Sequence, residues 1–220
     1  MLLVLLLLPV AAHAGPRALL DHALKSTKDA RASFTQVRMD ALGATTIQGA
    51  LEYRKPRRMR FDWRGKVPAT AWVNRDTVWY FQPGQKQVLT SRASAGGAPP
   101  ALFLEESVAV LEKTYRVAEE GRNGLVLTPL HAGAFRKVTL TLDPATGWPT
   151  RLILTPLRKG AFQKFSLTLD PRTGWPKRLV LLAADGGSTR LDFGGFTVNK
   201  GVSSARLTPS WPKGTTVLDL

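Results

Sequence analysis

Cysteine is absent from all 220 residues. That excludes a disulfide framework, thiolate metal sites, thiol nucleophiles and any lipid anchor attached through cysteine. Histidine is almost as scarce: His13, His22 and His131 are the only three, too few for a His-rich metal site, and each has a plainer role. His22 sits beside Asp21 on a surface helix, and His131 gives way to Arg158 in an internal repeat. Acidic residues are also few, 16 against 31 Lys and Arg, for a formal net charge of +15. Asp143 and Asp170 resemble a carboxylate pair, but each opens an Asp-Pro turn, which accounts for the residue type. With no P-loop, G-x-S-x-G or G-x-G-x-x-G, no enzymatic activity, catalytic residue, metal or cofactor is expected. What remains is ordinary for a folded chain, 44% hydrophobic and 21% charged, and long enough for a sizeable core.

Leu2 to Leu8 is an unbroken apolar run, followed by Pro9 and Ala12-His13-Ala14. It is too short to span a bilayer, which needs about 20 residues. An A-x-A ending instead reads as an export signal over residues 1–14, although no Lys or Arg precedes the run. The expectation is a single exported domain over 15–220, soluble because no second apolar span follows.

Arg17 to Lys28 places Leu20, Ala23, Leu24 and Thr27 on one side at helical spacing, with Pro16 suited to the first turn. From Phe34 the period changes to two. Leu51 and Tyr53 alternate with Glu52 and Arg54, and Met59, Phe61 and Trp63 with Arg58, Arg60 and Asp62, as in antiparallel strands with one wet face. Trp72-Val73, Val78–Phe81 and Lys86–Thr90 continue as strands between turn residues. After a Gly/Ala/Pro/Ser loop over 91–100, residues 101–113 read as a second helix. Leu104, Val108 and Leu111 share its apolar face, Glu105 and Glu106 its early turns and Lys113 its last, the polarity that the helix dipole prefers.

Residues 127–153 recur at 154–180 with 19 of 27 positions identical. Each copy is strand, Asp-Pro-x-Thr-Gly turn, strand. Leu140 and Leu142 correspond to Leu167 and Leu169 on one strand face. Two copies are too few for a solenoid, so a duplicated β-hairpin within one sheet is expected.

Arg54, Lys55, Arg57, Arg58, Arg60 and Arg64 crowd one hairpin beside Tyr53, Phe61 and Trp63. Strand parity sets this charge opposite the aromatic face, which argues against nucleic acid and for anionic headgroups or solubility. Lys55 falls on the same side as Leu51 and Tyr53, and a cation there needs partners or a function. Large apolar residues (Leu51, Tyr53, Met59, Phe61, Trp63, Trp72, Trp79, Phe81) exceed what two short helices cover. Either the sheet curls until it fills itself, or a hollow remains for an apolar ligand.

Ala32-Ser33-Phe34-Thr35-Gln36, Gly49-x-Leu51-x-Tyr53-Arg54-Lys55-Pro56, Met59-Arg60-Phe61, Thr77-Val78-Trp79-Tyr80-Phe81-x-Pro83, Leu125-Val126-Leu127-Thr128-Pro129 and Pro212-x-Gly214-x-x-Val217 occur in this order. The series resembles the outer-membrane lipoprotein carrier family LolA over nearly the whole chain after residue 14. The resemblance implies a mainly β fold, an incomplete antiparallel β-barrel whose opening is covered by a helical lid. It also implies a monomeric periplasmic chaperone that shields lipoprotein acyl chains between an inner-membrane ABC-type release complex and an outer-membrane receptor. The acyl chains would meet Leu51, Tyr53, Met59, Phe61, Trp63, Trp72, Trp79, Phe81, Leu140, Leu142, Leu167 and Leu169, beneath lid helices carrying Leu20, Leu24, Leu104, Val108 and Leu111. The family commonly has Arg before the proline, holding the lid closed. Here Lys55 stands there, with Arg54 beside it as a possible substitute. Met59 stands where the family has an aromatic residue, and the repeated hairpin is a further departure. Two other readings stay open: a carrier or sensor of other lipids on the same fold, and a filled-barrel interaction protein with a basic surface.

Overall fold

The computed structural model describes residues 15–92, 105–131, 135–157, 162–170 and 175–219; the expected export signal and Leu104 lie outside them. Its strands are β1 (Asp29–Asp40), β2 (Gly43–Arg54), β3 (Arg58–Arg64), β4 (Ala69–Asn74), β5 (Thr77–Gln82), β6 (Gln87–Arg92), β7 (Tyr115–Glu120), β8 (Gly124–Pro129), β9 (Phe135–Leu142), β10 (Pro149–Pro156), β11 (Phe162–Leu169), β12 (Pro176–Ala183), β13 (Ser188–Phe193), β14 (Thr197–Val198) and β15 (Thr216–Asp219). All belong to one sheet, ordered β15-β6-β5-β4-β3-β2-β1-β13-β12-β11-β10-β9-β8-β7, with β14 also on β1. Neighbours pair antiparallel except β15 and β6, which run parallel. Among the described residues β7 and β15 end this order unpaired to each other, so the barrel is open.

The duplicated hairpin is built into this sheet as two successive hairpins, β9–β10 and β11–β12. In both copies the Asp that opens the turn donates its backbone N–H to the carbonyl of the following Trp at 2.8 Å, Asp143 to Trp148 and Asp170 to Trp175. The Asp143 carboxylate accepts the N–H groups of Thr146 and Ala145, both at 2.9 Å. The Thr146 bond leads in holding its carboxyl below the usual range. This is turn chemistry, not acid–base chemistry. Only three register pairs, Arg151 to Ile153 on β10 with Ser166 to Thr168 on β11, join the copies.

Helix α1 (Pro16–Ser26) starts on Pro16 and buries Leu20, Ala23 and Leu24. These pack with Leu125, Leu127, Val138, Leu140, Leu142, Leu152, Leu167 and Leu169 into the larger of two cores. At Gly147, φ is +71°, and an added Cβ would overlap the Leu19 carbonyl, so the helix rests directly on the Gly-Trp-Pro corner. Helix α2 corrects the expectation for 101–113: it is a single turn, Val108–Leu111. Ser107 stops it from starting earlier, its hydroxyl accepting the Val110 N–H at 3.3 Å, while the Asp21 carboxylate accepts the Val108 N–H at 2.9 Å. Glu105 and Glu106 therefore precede the helix, and Glu105 turns inward.

Residues 199–215 run from the β14 end to β15, and a 3-10 turn at Ala205–Leu207 lies on the outer face of β2 and β3. The Arg206 carbonyl accepts from Trp72 Nε1 at 3.3 Å and Arg60 Nη1 at 3.1 Å, and the Arg206 guanidinium reaches Glu52 at 2.7 Å. Arg60 is paired with Asp62 and stacks over Trp72 at 5.3 Å.

Gly49 marks a close approach within the sheet. It lies between Phe34 on β1 and Trp63 on β3, and a Cβ there would overlap the Phe34 ring and come within 2.5 Å of the Asp62 carbonyl. Gly49→Ala is expected to cost about 1–3 kcal/mol through overpacking, read as a lowered urea midpoint. An unchanged midpoint would show that the ring has room to move.

Candidate functional site

The concave face of the sheet is largely apolar, because register places alternating apolar residues of most strands on one side, with Gln36 and Arg38 on β1 as polar exceptions. The helices occupy only half of it. Over β8 to β11 their leucines and valines pack directly on Leu140, Leu142, Leu167 and Leu169, so these four expected acyl-contact residues form the seat of the helices.

The other half, on β13 and β1 to β5, is an aromatic wall. Phe61 stacks on Trp63 at 5.6 Å, Trp63 meets Tyr80 edge-on at 6.0 Å, and Phe34 meets both Phe61 and Trp63 at about 6 Å. Phe193 and Phe196 continue the wall to Trp175, which stacks on Phe196 at 4.7 Å and lies 5.6 Å from Tyr53. Tyr53 and Met59 are buried, whereas Phe61, Trp63, Tyr80, Val78 and Leu191 are only partly so. Large aromatic surface is thus left half open on the inside of the curve.

Of the residues expected on this face, Leu51, Tyr53, Met59, Phe61 and Trp63 come together. Trp72, Trp79 and Phe81 do not. The register Trp63–Ala69 and Phe61–Ala71 turns the odd-numbered residues of β4 inward, so Trp72, its partner Trp79 and Phe81 all face outward. Trp72 is buried there by Arg60 and the Arg206 carbonyl, and is closed to nucleobase or lipid. The inner face of β5 carries Val78 and Tyr80 instead. Phe34, Tyr80, Trp175, Phe193 and Phe196 were missed by the sequence reading. Counting parity from the Asn74–Thr77 turn finds Tyr80, and the repeated Gly-Trp-Pro flags Trp175.

Helix α1, 11 residues or about 16 Å long, is held by polar contacts at both ends. At its N-terminus, Arg17 ion-pairs with Glu112 at 2.7 Å and donates its backbone N–H to Glu119 at 3.1 Å. At its other end the Lys55 ammonium, from the turn between β2 and β3, donates to the Leu24 carbonyl. A helix C-terminus offers unpaired carbonyls at the negative end of its dipole, a natural seat for an ammonium. Arg54 does not share this contact: it points to the outer face and donates to the Val202 carbonyl at 2.9 Å.

The surroundings of Lys55 are titratable. Arg57 reaches Glu105 at 3.5 Å and Asp76 at 3.2 Å. Burial pushes the Glu105 carboxyl above its usual range while Arg57 pulls it back, and burial lowers the Lys55 ammonium against the opposing pull of Glu106 and Glu105. Burial likewise raises the phenols of Tyr53 and Tyr115. No group of three or more His, Asp or Glu side chains among the described residues could hold a metal ion, and no described helix is long and apolar enough to cross a membrane.

Three comparisons bear on this site. Residues 25–152, more than half of the chain, match the family described as outer membrane lipoprotein carrier protein LolA. An outer-membrane lipoprotein carrier protein from Methylococcus capsulatus is 29% identical over 140 residues, 60% of this chain and 67% of that one. Among solved structures, a LolA superfamily protein from Nitrosomonas europaea and a DUF1329 family protein from Desulfovibrio piger each align with a TM-score of 0.59. Each is 12% identical and matched over 89% of this chain and 98% of its own. At that identity the two structures establish a shared fold.

Proposed function

Since the chain belongs to the LolA family of outer membrane lipoprotein carriers, we propose that it is a periplasmic chaperone that takes up the acyl chains of lipoproteins on its aromatic wall. It would carry them from an inner-membrane ABC-type release complex toward the outer membrane, residues 1–14 serving as the export signal and 15–220 as one carrier unit. The family and the Methylococcus relative are both described as lipoprotein carriers, in keeping with a binding role.

The observation that carries the reading is the half-open wall beside a helix tied at each end by a few polar contacts. Each CH₂ taken out of water contributes about 0.8 kcal/mol, so an acyl chain supplies many kcal/mol toward occupying such a face. Release then requires a cover that opens at small cost. The two ends of α1 meet this need, since neither is locked by apolar packing alone. Met59 and the aromatic rings suit an adaptable lining.

Mass spectrometry of molecules bound to the protein isolated from periplasmic extract tests the reading. Triacylated lipoproteins are expected. Phospholipid or glycolipid alone would make it a carrier of other lipids, and an empty protein in every preparation would overturn the carrier reading.

A further inference from the structure

We propose that Gln36, oriented by Trp63 at the open rim of the aromatic wall, recognises the carbonyl at the root of an acyl chain. The groove would thereby favour ester- or amide-linked acyl groups over plain hydrocarbon of the same length. This rests on the acyl-carrier reading above and names the chemical group that the same site selects.

Depth along the groove comes from β1. Its inward residues pass from Ala30 at 0% exposure, Ala32 at 8% and Phe34 at 2% to half-buried Gln36 and then exposed Arg38. On β3 the same direction leads from buried Met59 to half-buried Phe61 and Trp63. The wall therefore runs from a buried end at Tyr53 to an open rim near Gln36. Six residue steps along the strand separate Ala30 from Gln36, about 20 Å, comparable to an extended fatty-acyl chain. A chain laid along the wall with its methyl end toward Tyr53 would leave its carbonyl beside Gln36.

The chemistry at that level is unlike the rest of the wall. Gln36 is the one polar side chain among the inward residues of β1 between Ala30 and Arg38. The Trp63 indole can only donate, and its Nε1–H goes to Gln36 Oε1 at 2.9 Å. That contact decides which way the amide points: its oxygen is engaged by the indole, and its NH₂ group is turned away as a pair of donors. Trp63 is itself fixed by Phe61, Phe34 and Tyr80, so the donors are held in place before any ligand arrives. An ester or amide carbonyl accepts such a donor well, an ether oxygen more weakly and an alkane not at all. Arrival of a carbonyl that cannot be satisfied would instead leave a polar atom stranded among aromatic rings.

The test uses two synthetic probes, a diacylglyceryl-thioether lipopeptide with ester-linked chains and its dialkyl-ether analogue, titrated into the full-length mature protein. The wild type is expected to bind the ester probe about three- to tenfold more tightly, the span of a neutral hydrogen bond. In Gln36→Leu the ratio of the two affinities should fall to about one. Should that variant fail to fold, Trp63→Phe carries the test, because losing the indole N–H frees the amide to rotate and lowers the same ratio. Equal affinities in the wild type, or an undiminished ratio in the variants, would overturn the assignment and leave the carrier reading standing. Failure of the wild type to bind either probe would overturn both.

Discussion

Trp175→Ala is expected to destabilise the protein by about 3–5 kcal/mol, as removal of a buried tryptophan does. For a chain of this size that corresponds to a fall in Tm on the order of 10 °C. The reason lies in its position. Trp175 and Trp148 are the same residue of the two repeated segments, 27 positions apart, yet they belong to different cores. Trp148 packs with the helix-covered leucines. Trp175 is stacked on Phe196, tilted against Tyr53 and 6.5 Å from Trp148, so it joins the aromatic wall to the second repeat. Cutting it to alanine opens a cavity that Phe196, between β13 and β14, and Tyr53, held in the β2 register, cannot both close. A loss under about 1 kcal/mol would mean that the second hairpin is a peripheral addition, and that the wall closes without it.

How far the pattern of residues could be read shows at these same places. Period-two alternation on β2 and β3 placed Leu51, Tyr53, Met59, Phe61 and Trp63 correctly on the inner face, because one wet and one dry side impose that rhythm wherever a strand is half exposed. Trp72, Trp79 and Phe81 broke the reading because the outer face is not uniformly wet. The 3-10 turn at Ala205–Leu207, more than 130 residues away in the chain, buries Trp72 there, and no local pattern announces a cover that distant. The second helix was over-read for a related reason. Apolar spacing over 101–113 fits a helix, but a Ser side chain capping its own downstream backbone at Ser107 ends that option locally. Lys55 was legible as a cation on an apolar side needing a partner; that the partner is a helix-terminal carbonyl depends on where α1 lands. Gln36 lay within a recognised motif, and only the neighbouring Trp63 indole gives its amide a direction.

Replacement of Lys55 should act on retention of the ligand far more than on folding. In Lys55→Met the aliphatic stem is preserved and the ammonium is lost, so the contact to the Leu24 carbonyl disappears while the packing of Leu20, Ala23 and Leu24 beneath it is untouched. A hydrogen bond from a charged group contributes about 1.5–3 kcal/mol when well desolvated, but Lys55 is only half-buried and its burial works against the charge. The net contribution is therefore at the low end, and dissociation of a bound acyl probe is expected to quicken by about tenfold, with Tm nearly unchanged. Lys55→Arg should keep slow dissociation, since a guanidinium can donate to the same carbonyl. The sign of the pH effect follows from the lowered pKa. With the helix closed, burial favours the neutral amine, which still donates an N–H to the Leu24 carbonyl, so the closed state binds fewer protons than the open one and gains as pH rises toward the lysine range. Wild-type dissociation should accordingly slow in mildly alkaline buffer, and Lys55→Met should lack the part of that slope which Lys55 supplies. Equal dissociation rates in the two proteins would show that α1 is held by its leucines alone and that the ammonium is no tether; a large drop in Tm on the same substitution would mark Lys55 as part of the folded framework and remove it from the cover.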